Sequence, residues 1–164
     1  MTVVEGINVR AADAADAPAI RAVAVAAWGA TYAGRLADDT IARFLAQAYA
    51  TDRIAVRIDR HEVLVAGISD AVDAFAEVVD RGDHVQLVAI YTLPSSRGQG
   101  LGSALLATVV AAHPGEDVAA DVLLDNDLAE PFYAARGFVP GELLIDEIAG
   151  DPVRERRWWL HASS

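Results

Sequence analysis

The chain has 164 residues, 54% of them hydrophobic, with a formal net charge of −11 and no cysteine. That length suits one domain over 1–164 with a sizeable core, and the hydrophobic content excludes a disordered chain. The absence of cysteine excludes disulfides, thiolate metal sites and a cysteine nucleophile, and the acidic balance disfavours nucleic acid, whose phosphates need clustered Lys and Arg.

In chain order, INVRAAD alternates as a strand ending near Arg10. A helix follows, capped by Asp13 or Asp16, with Pro18 in its first turn and an apolar stripe of Ile20, Val23, Ala24, Ala27 and Trp28. A second helix starts near Asp38 or Asp39, with Ile41, Phe44, Leu45, Ala48 and Tyr49 at the same spacing. EVLVAGI, DAFAEVV and HVQLVAIYT read as three strands joined by SDAVD and DRGD turns. Next come a glycine loop and a helix over 100–112, stopped by His113, Pro114 and Gly115. DVAADVLL is a strand, and DNDLAEPFYAARG is a helix with Asp127 as cap, Glu130 three residues on and Gly137 at its end. FVPGELLIDEI and RERRWWLH close the chain as strands.

The order is β-α-α-β-β-β-α-β-α-β-β, which is not the strict alternation of a Rossmann sheet. It predicts an α/β chain with a central mixed sheet flanked by helices. Nothing repeats at a fixed period. No apolar run is long enough to span a membrane, and residues 1–10 lack the basic-then-apolar order of a signal peptide, so a cytoplasmic location is expected.

The loop is the most informative stretch. A helix leaves its first N–H groups unpaired and carries roughly half a positive charge at its N-terminus. Gly98, Gly100 and Gly102 keep side chains away from the start of the helix over 100–112, and Arg97 adds a cation. Residues 97–103 therefore read as a cradle for a pyrophosphate. The competing reading is that the glycines only let a strand turn tightly into a helix. The spacing G-x-G-x-G matches neither the Walker loop nor the dinucleotide fingerprint.

IYTLPSSRGQGLGSALL resembles the central motif of the GNAT N-acetyltransferase superfamily, [Arg/Gln]-x-x-Gly-x-[Gly/Ala], through Arg97, Gly100 and Gly102. Asn126, Ala129, Tyr133, Gly137 and Phe138 stand at that family's spacings too. The resemblance covers nearly the whole chain and is most specific over 85–138. It implies binding of acetyl-CoA as co-substrate, with no metal, and a sheet splayed open between Val85–Thr92 and 118–124. It also implies that Ile90, Tyr91 and Thr92 pair with the pantetheine arm. The pyrophosphate would lie on Arg97, Gly98, Gln99, Gly100, Leu101, Gly102 and Ser103.

Acetyl transfer to an amine needs both substrates held together, a neutral amine and a stabilised thiolate. The resemblance places the Tyr133 hydroxyl near the thioester sulfur; otherwise Tyr133 is a core aromatic. Asn126 would contact the pantetheine arm, or simply cap a helix. Where many relatives carry a glutamate base, this chain has Gln86, which can orient a water but cannot take a proton. Asp121 and His84 are the substitutes, His84 reading equally as an exposed turn residue. Trp28 and Tyr32 share a helix face beside the expected acceptor pocket, Trp28 reading equally as core.

The expected partner is an amine of a small molecule or peptide. A cationic amine would suit the aromatics and the acidic balance, although that balance serves solubility equally well. Homodimer formation is left open, and neither nucleic acid nor membrane is expected. An acyl-CoA-binding module without activity is the alternative class, suggested by Gln86 and opposed by Tyr133 and Asn126.

Overall fold

The computed structural model describes residues 6–124 and 126–163. Residues 1–5 of the segment read for an export signal, and Asp125 at the start of the DNDLAEPFYAARG reading, lie outside the described residues. The described chain folds as β1 (Ile7–Ala11), α1 (Ala17–Tyr32), α2 (Asp38–Ala48), α3 (Thr51–Arg60), β2 (Glu62–Ile68), β3 (Ala74–Asp80) and β4 (Val85–Thr92). It continues with α4 (Leu101–Ala112), β5 (Val118–Leu123), α5 (Ala129–Ala135), β6 (Val139–Ile148) and β7 (Asp151–Leu160).

The expected α/β architecture is present, with one helix added. Only Ile54 and Ile58 mark an apolar stripe in α3; Val56 faces solvent, and the rest is polar, charged or small. Two positions at i, i+4 are too short a pattern to reveal a helix. Ile54 is nonetheless buried against α1 and the sheet. Asp13 and Asp16 both act before α1, in a capping box around a short 3-10 turn. Arg10 donates to both oxygens of Asp16 at 2.7 and 2.8 Å, tying β1 to that turn.

The seven strands form one sheet in the order β1-β2-β3-β4-β5-β7-β6. Every neighbouring pair is antiparallel except β4–β5. One face packs on α4 through Leu101, Leu105, Leu106 and Val109, each at most 4% exposed. Burial of each such side chain contributes about 1.5–3 kcal/mol. The other face packs on α1 and α3 through Ile20, Val23, Ile54, Val65 and Phe75.

Two irregularities shape the centre of the sheet. The parallel β4–β5 pair runs for only three residues, Val85↔Val118, Gln86↔Ala119 and Leu87↔Ala120. Immediately beyond, the β3–β4 register shifts between Glu77 and Val78, which leaves Val88 as an extra residue on β4. This bulge turns β4 away from its parallel neighbour, while β5 stays paired to β7 as far as Leu123↔Glu155.

The buried Glu77 carboxylate sits at the bulge and anchors α3. It accepts from Arg57 Nε at 3.0 Å and lies 2.7 Å from His61 Nδ1. Removing one partner of a buried ion pair strands the other. Glu77→Ala should therefore lower unfolding free energy by about 3 kcal/mol in urea titration; a loss under about 1 kcal/mol would show that α3 is held by apolar packing alone.

Candidate active site

Where β4 and β5 part, the sheet opens into a cleft of roughly 460 Å³. Its floor is 87–92 of β4, and its walls are Ala27, Thr31 and Tyr32 of α1, the glycine loop, and Leu128–Tyr133 positions of the α5 region. On the side facing β5, β4 has no strand partner beyond Leu87. Backbone polar groups there are open to an extended ligand in place of a neighbouring strand. Ile90, Tyr91 and Thr92 all lie on this stretch.

The loop ends the floor at the helix. Gly98 and Gly100 adopt φ of 83° and 90°, angles that side-chain-bearing residues rarely take. Gly100 is the N-cap of α4 and offers no side-chain acceptor, and the first turn holds no acidic residue. The leading N–H groups of α4 therefore lack the usual side-chain partner, and with the positive end of the helix they suit an anion. Gly102 sits in tight packing: a Cβ there would lie 3.1 Å from Phe132 Cε1, so the ring would have to give by a few tenths of an ångström. Arg97, Gly98, Gly100, Leu101, Gly102 and Ser103 line the cleft, whereas Gln99 does not. The Leu101 side chain itself is buried in the core. Arg97 donates to Thr31 Oγ1 at 3.3 Å, bridging loop and α1.

Tyr133 and Asn126 converge on the same cleft. Tyr133 is 6% exposed, packed edge-on against Phe132 and tilted against Phe138. Burial raises its hydroxyl well above the ordinary tyrosine value, so it stays protonated at neutral pH. Asn126 works in two directions. Its Oδ1 accepts from the N–H groups of Leu128 and Ala129, and its Nδ2 donates to the Tyr32 hydroxyl at 3.2 Å. The cap expected from Asp127 is thus supplied one residue earlier, and Asp127 instead meets Arg35 on the surface. Burial pushes Tyr32 up to about 12. Trp28 lines neither cleft; it stacks on Phe44 at 4.1 Å and touches Tyr32 at 4.5 Å, so it supports the site from the core.

A second cavity of about 450 Å³ opens on the α1 and α3 side of the sheet. Leu87, Val88 and Asp121 line both cavities, so the two meet where the strands separate. Gln86 is 4% exposed, and His84 Nε2 donates to its Oε1 at 2.9 Å. His84 is buried rather than exposed: its Nδ1 lies 2.7 Å from Asp83, and Trp159 packs edge-on against its ring. Asp121 accepts from Arg157 through both oxygens, at 2.7 and 3.0 Å. Asp146 and Glu155 complete the acidic wall. Burial, then Asp146, then Asp121 push Glu155 up to about 7.

Arg81, Arg136 and Arg157 and two carboxylates of these cavities escaped the sequence reading. Arg136 stacks over Phe132 at 3.8 Å and donates from Nε to Ser103 Oγ at 3.0 Å, placing a second cation at the loop. Its signal was the spacing of four from Phe132. Glu155 and Arg157 alternate with Trp159 along β7, so strand parity puts them on one face. Asp146 is brought in only by the β6–β7 register. Among the described residues, no group of three or more His, Cys, Asp and Glu could hold a metal ion, and no helix is long and apolar enough to cross a membrane.

The fold recurs in solved structures. A GCN5-related N-acetyltransferase from Rhodopseudomonas palustris superimposes with a TM-score of 0.80 at 20% identity, covering 99% of each chain. PaiA N-acetyltransferase from Thermoplasma acidophilum, in complex with coenzyme A, gives 0.75 at 21% identity, over 92% of this chain and 97% of its own. YncA from Salmonella typhimurium, with its cofactor acetyl-CoA, gives 0.73 at 19% identity, over 96% and 95%. No curated protein sequence matches the chain significantly. The sequence profile of the acetyltransferase (GNAT) family matches residues 20–138, and the chain belongs to that family.

Proposed function

We propose that the chain moves the acetyl group of acetyl-CoA directly to a primary amine of a small molecule or peptide, with both substrates bound at once. The observation that carries this reading is the junction of the unpaired stretch of β4 with the uncapped N-terminus of α4. An extended, amide-bearing arm that ends in a diphosphate fits both halves of that junction. The residues present suit such a ligand. The glycine turn clears the approach to the helix, and Arg97 and Arg136 add cations beside Ser103. PaiA with coenzyme A and YncA with acetyl-CoA share the fold, which supports the same assignment here.

In this reading Ile90, Tyr91 and Thr92 hold the arm as an added strand, and Arg97 to Ser103 hold the diphosphate, with Leu101 and Gln99 contributing main chain only. Asn126 fixes the start of α5 and, through Tyr32, the wall of α1. That places Tyr133 over the parting strands. Its protonated hydroxyl offers a hydrogen bond to the departing sulfur. A phenol is already a weaker acid than a free thiol of pKa about 8.5, and burial weakens this one further, so its contribution is charge stabilisation rather than complete proton transfer. The acceptor amine enters from the second cavity, past Gln86 and Asp121, with Val88 separating the two substrates.

Gly100→Glu would force a side chain into a left-handed backbone and place a carboxylate in the anion cradle. Calorimetry should show acetyl-CoA affinity reduced by about 100-fold or more, as for the loss of a main anion contact; unchanged affinity would rule the cradle out. Tyr133→Phe should lower kcat by roughly 100-fold with acetyl-CoA affinity nearly unchanged. Thiol release at the wild-type rate would remove Tyr133 from the reaction.

A further inference from the structure

The proposed transfer requires a proton acceptor, because an alkylammonium of pKa about 10.4 is almost fully charged at neutral pH. Gln86 cannot take a proton. Both oxygens of Asp121 are held by Arg157. The His84 ring is engaged at both nitrogens, by Asp83 and by Gln86. Glu155 differs from all three. It lines the second cavity, it hydrogen-bonds the Asp146 carboxyl rather than a cation, and its buried Oε1 has no hydrogen-bond partner among the described residues.

The register gives Glu155 the right height. Gln86 lies level with Ala119, inside the last paired stretch of β4 and β5. Glu155 lies level with Leu123, three residues beyond the last pair at Ala120. At about 3.3 Å per residue, that is roughly 10 Å into the opened part of the sheet. Ala119, Asp121 and Leu123 of β5 alternate onto the face that also carries Glu155, Arg157 and Trp159. The carboxylate therefore stands on the acceptor side of the parting strands, at the depth of the free stretch of β4.

We propose that Glu155 on β7 is the proton acceptor for the incoming amine, and that the cavity it shares with Asp121 and Asp146 selects a primary ammonium. The proposal rests on the acetyl-transfer reading above. The ammonium gives one N–H proton to the Glu155 carboxylate, directly or through one water, and becomes a neutral amine. The nitrogen lone pair then bonds to the thioester carbonyl carbon as the C–S bond breaks, and the electron pair of that bond leaves on sulfur. The second N–H proton balances the proton that ends on sulfur, where the Tyr133 hydroxyl stabilises the developing charge. Glu155 returns its proton to water, so the reaction releases one proton overall.

The surroundings set the pH at which Glu155 works. Burial, Asp146 of β6 and Asp121 of β5 push it up to about 7, and Arg157 of β7 opposes them. Arg81, His84 and Gln86 line the same cavity, and Tyr32 of α1, on the same side of the sheet, interacts electrostatically with Glu155. A group poised near 7 is ionised often enough to accept a proton and basic enough to hold it. The sign for stability runs the other way. The folded chain holds this proton more tightly than the unfolded chain, so the contribution to stability is lost as pH rises toward 7 and beyond.

The test follows CoA thiol release from acetyl-CoA with a panel of primary amines between pH 5.5 and 9.5, beside calorimetry with acetyl-CoA. Wild-type kcat/KM should rise through a shoulder near pH 7. Glu155→Gln should lose about 100-fold or more at pH 7 and lose the shoulder, rising only toward the amine's own range. Its acetyl-CoA affinity should stay within about twofold, and its thermal midpoint at pH 8 should exceed that of wild type. Glu155→Asp should restore a shoulder at reduced rate, and it decides the matter should the glutamine variant lose acetyl-CoA binding. A wild-type shoulder and rate in Glu155→Gln would overturn the proposal while leaving the transferase reading intact. Wild-type protein that binds acetyl-CoA yet releases no thiol with any amine would overturn the transferase reading itself, and the role of Glu155 with it.

Discussion

The site depends on a sheet that is not allowed to close. β4 and β5 are parallel neighbours for three residue pairs and then separate, because the extra Val88 turns β4 while β7 holds β5 on its own course. Each buried backbone group left without a partner costs about 1–3 kcal/mol. A fold tolerates such an edge only where a bound chain or water can supply the missing hydrogen bonds. The two flanks keep the gap open. α4 clamps β1 to β4 from one face, α1 and α3 clamp them from the other, and β6 and β7 carry β5. Recognition of an extended ligand is thus a consequence of how the sheet fails to pair.

The same fork sorts charge. On the α4 side, Arg97 and Arg136 stand beside a helix N-terminus that has neither a side-chain cap nor an acidic first turn. On the opposite side, Asp121, Asp146 and Glu155 line the second cavity with Arg157 as partial counterweight. A chain of net charge −11 therefore gathers cations at the bare helix start and carboxylates in the second cavity, which suits an anionic cofactor on one side and the proposed ammonium on the other. The two regions are separated by little more than Leu87 and Val88, so each substrate meets its own field up to the point of contact.

Much of this was legible in the sequence because it rests on local pattern. The apolar run EVLVAGI matches the full extent of β2, the stripe of α1 falls on buried residues, and that of α2 falls on buried and half-buried ones. The glycine spacing announced a bare helix start, and Gly98 and Gly100 do take left-handed angles. What was not legible depends on long-range registry. α3 is fixed by tertiary burial of Ile54 and by the Glu77 ion pair rather than by an apolar stripe of its own. His84 looked like a turn residue because the sequence does not show Trp159 folding over it. Trp28 and Tyr32 share a helix face, yet only Tyr32 reaches the cleft, since Phe44 covers the indole. Glu155 lies in a run of charges, and only pairing with β5 shows that it points into a cavity.

Asp121 and Glu155 put two neighbouring carboxylates in different states. Both face the same space, but Asp121 is satisfied by a bidentate arginine and is thereby fixed as a charge. A carboxylate held in that way contributes orientation and field, because taking a proton would dismantle two charge-assisted hydrogen bonds. Glu155 has a buried oxygen with no such partner and two carboxylates nearby, an arrangement that folding alone disfavours. A carboxyl hydrogen-bonded to a second carboxylate holds its proton readily, and such an arrangement persists where the group must change charge. Ion pairing and proton transfer are competing uses of a carboxylate, and in this cavity the register of β7 gives one residue to each.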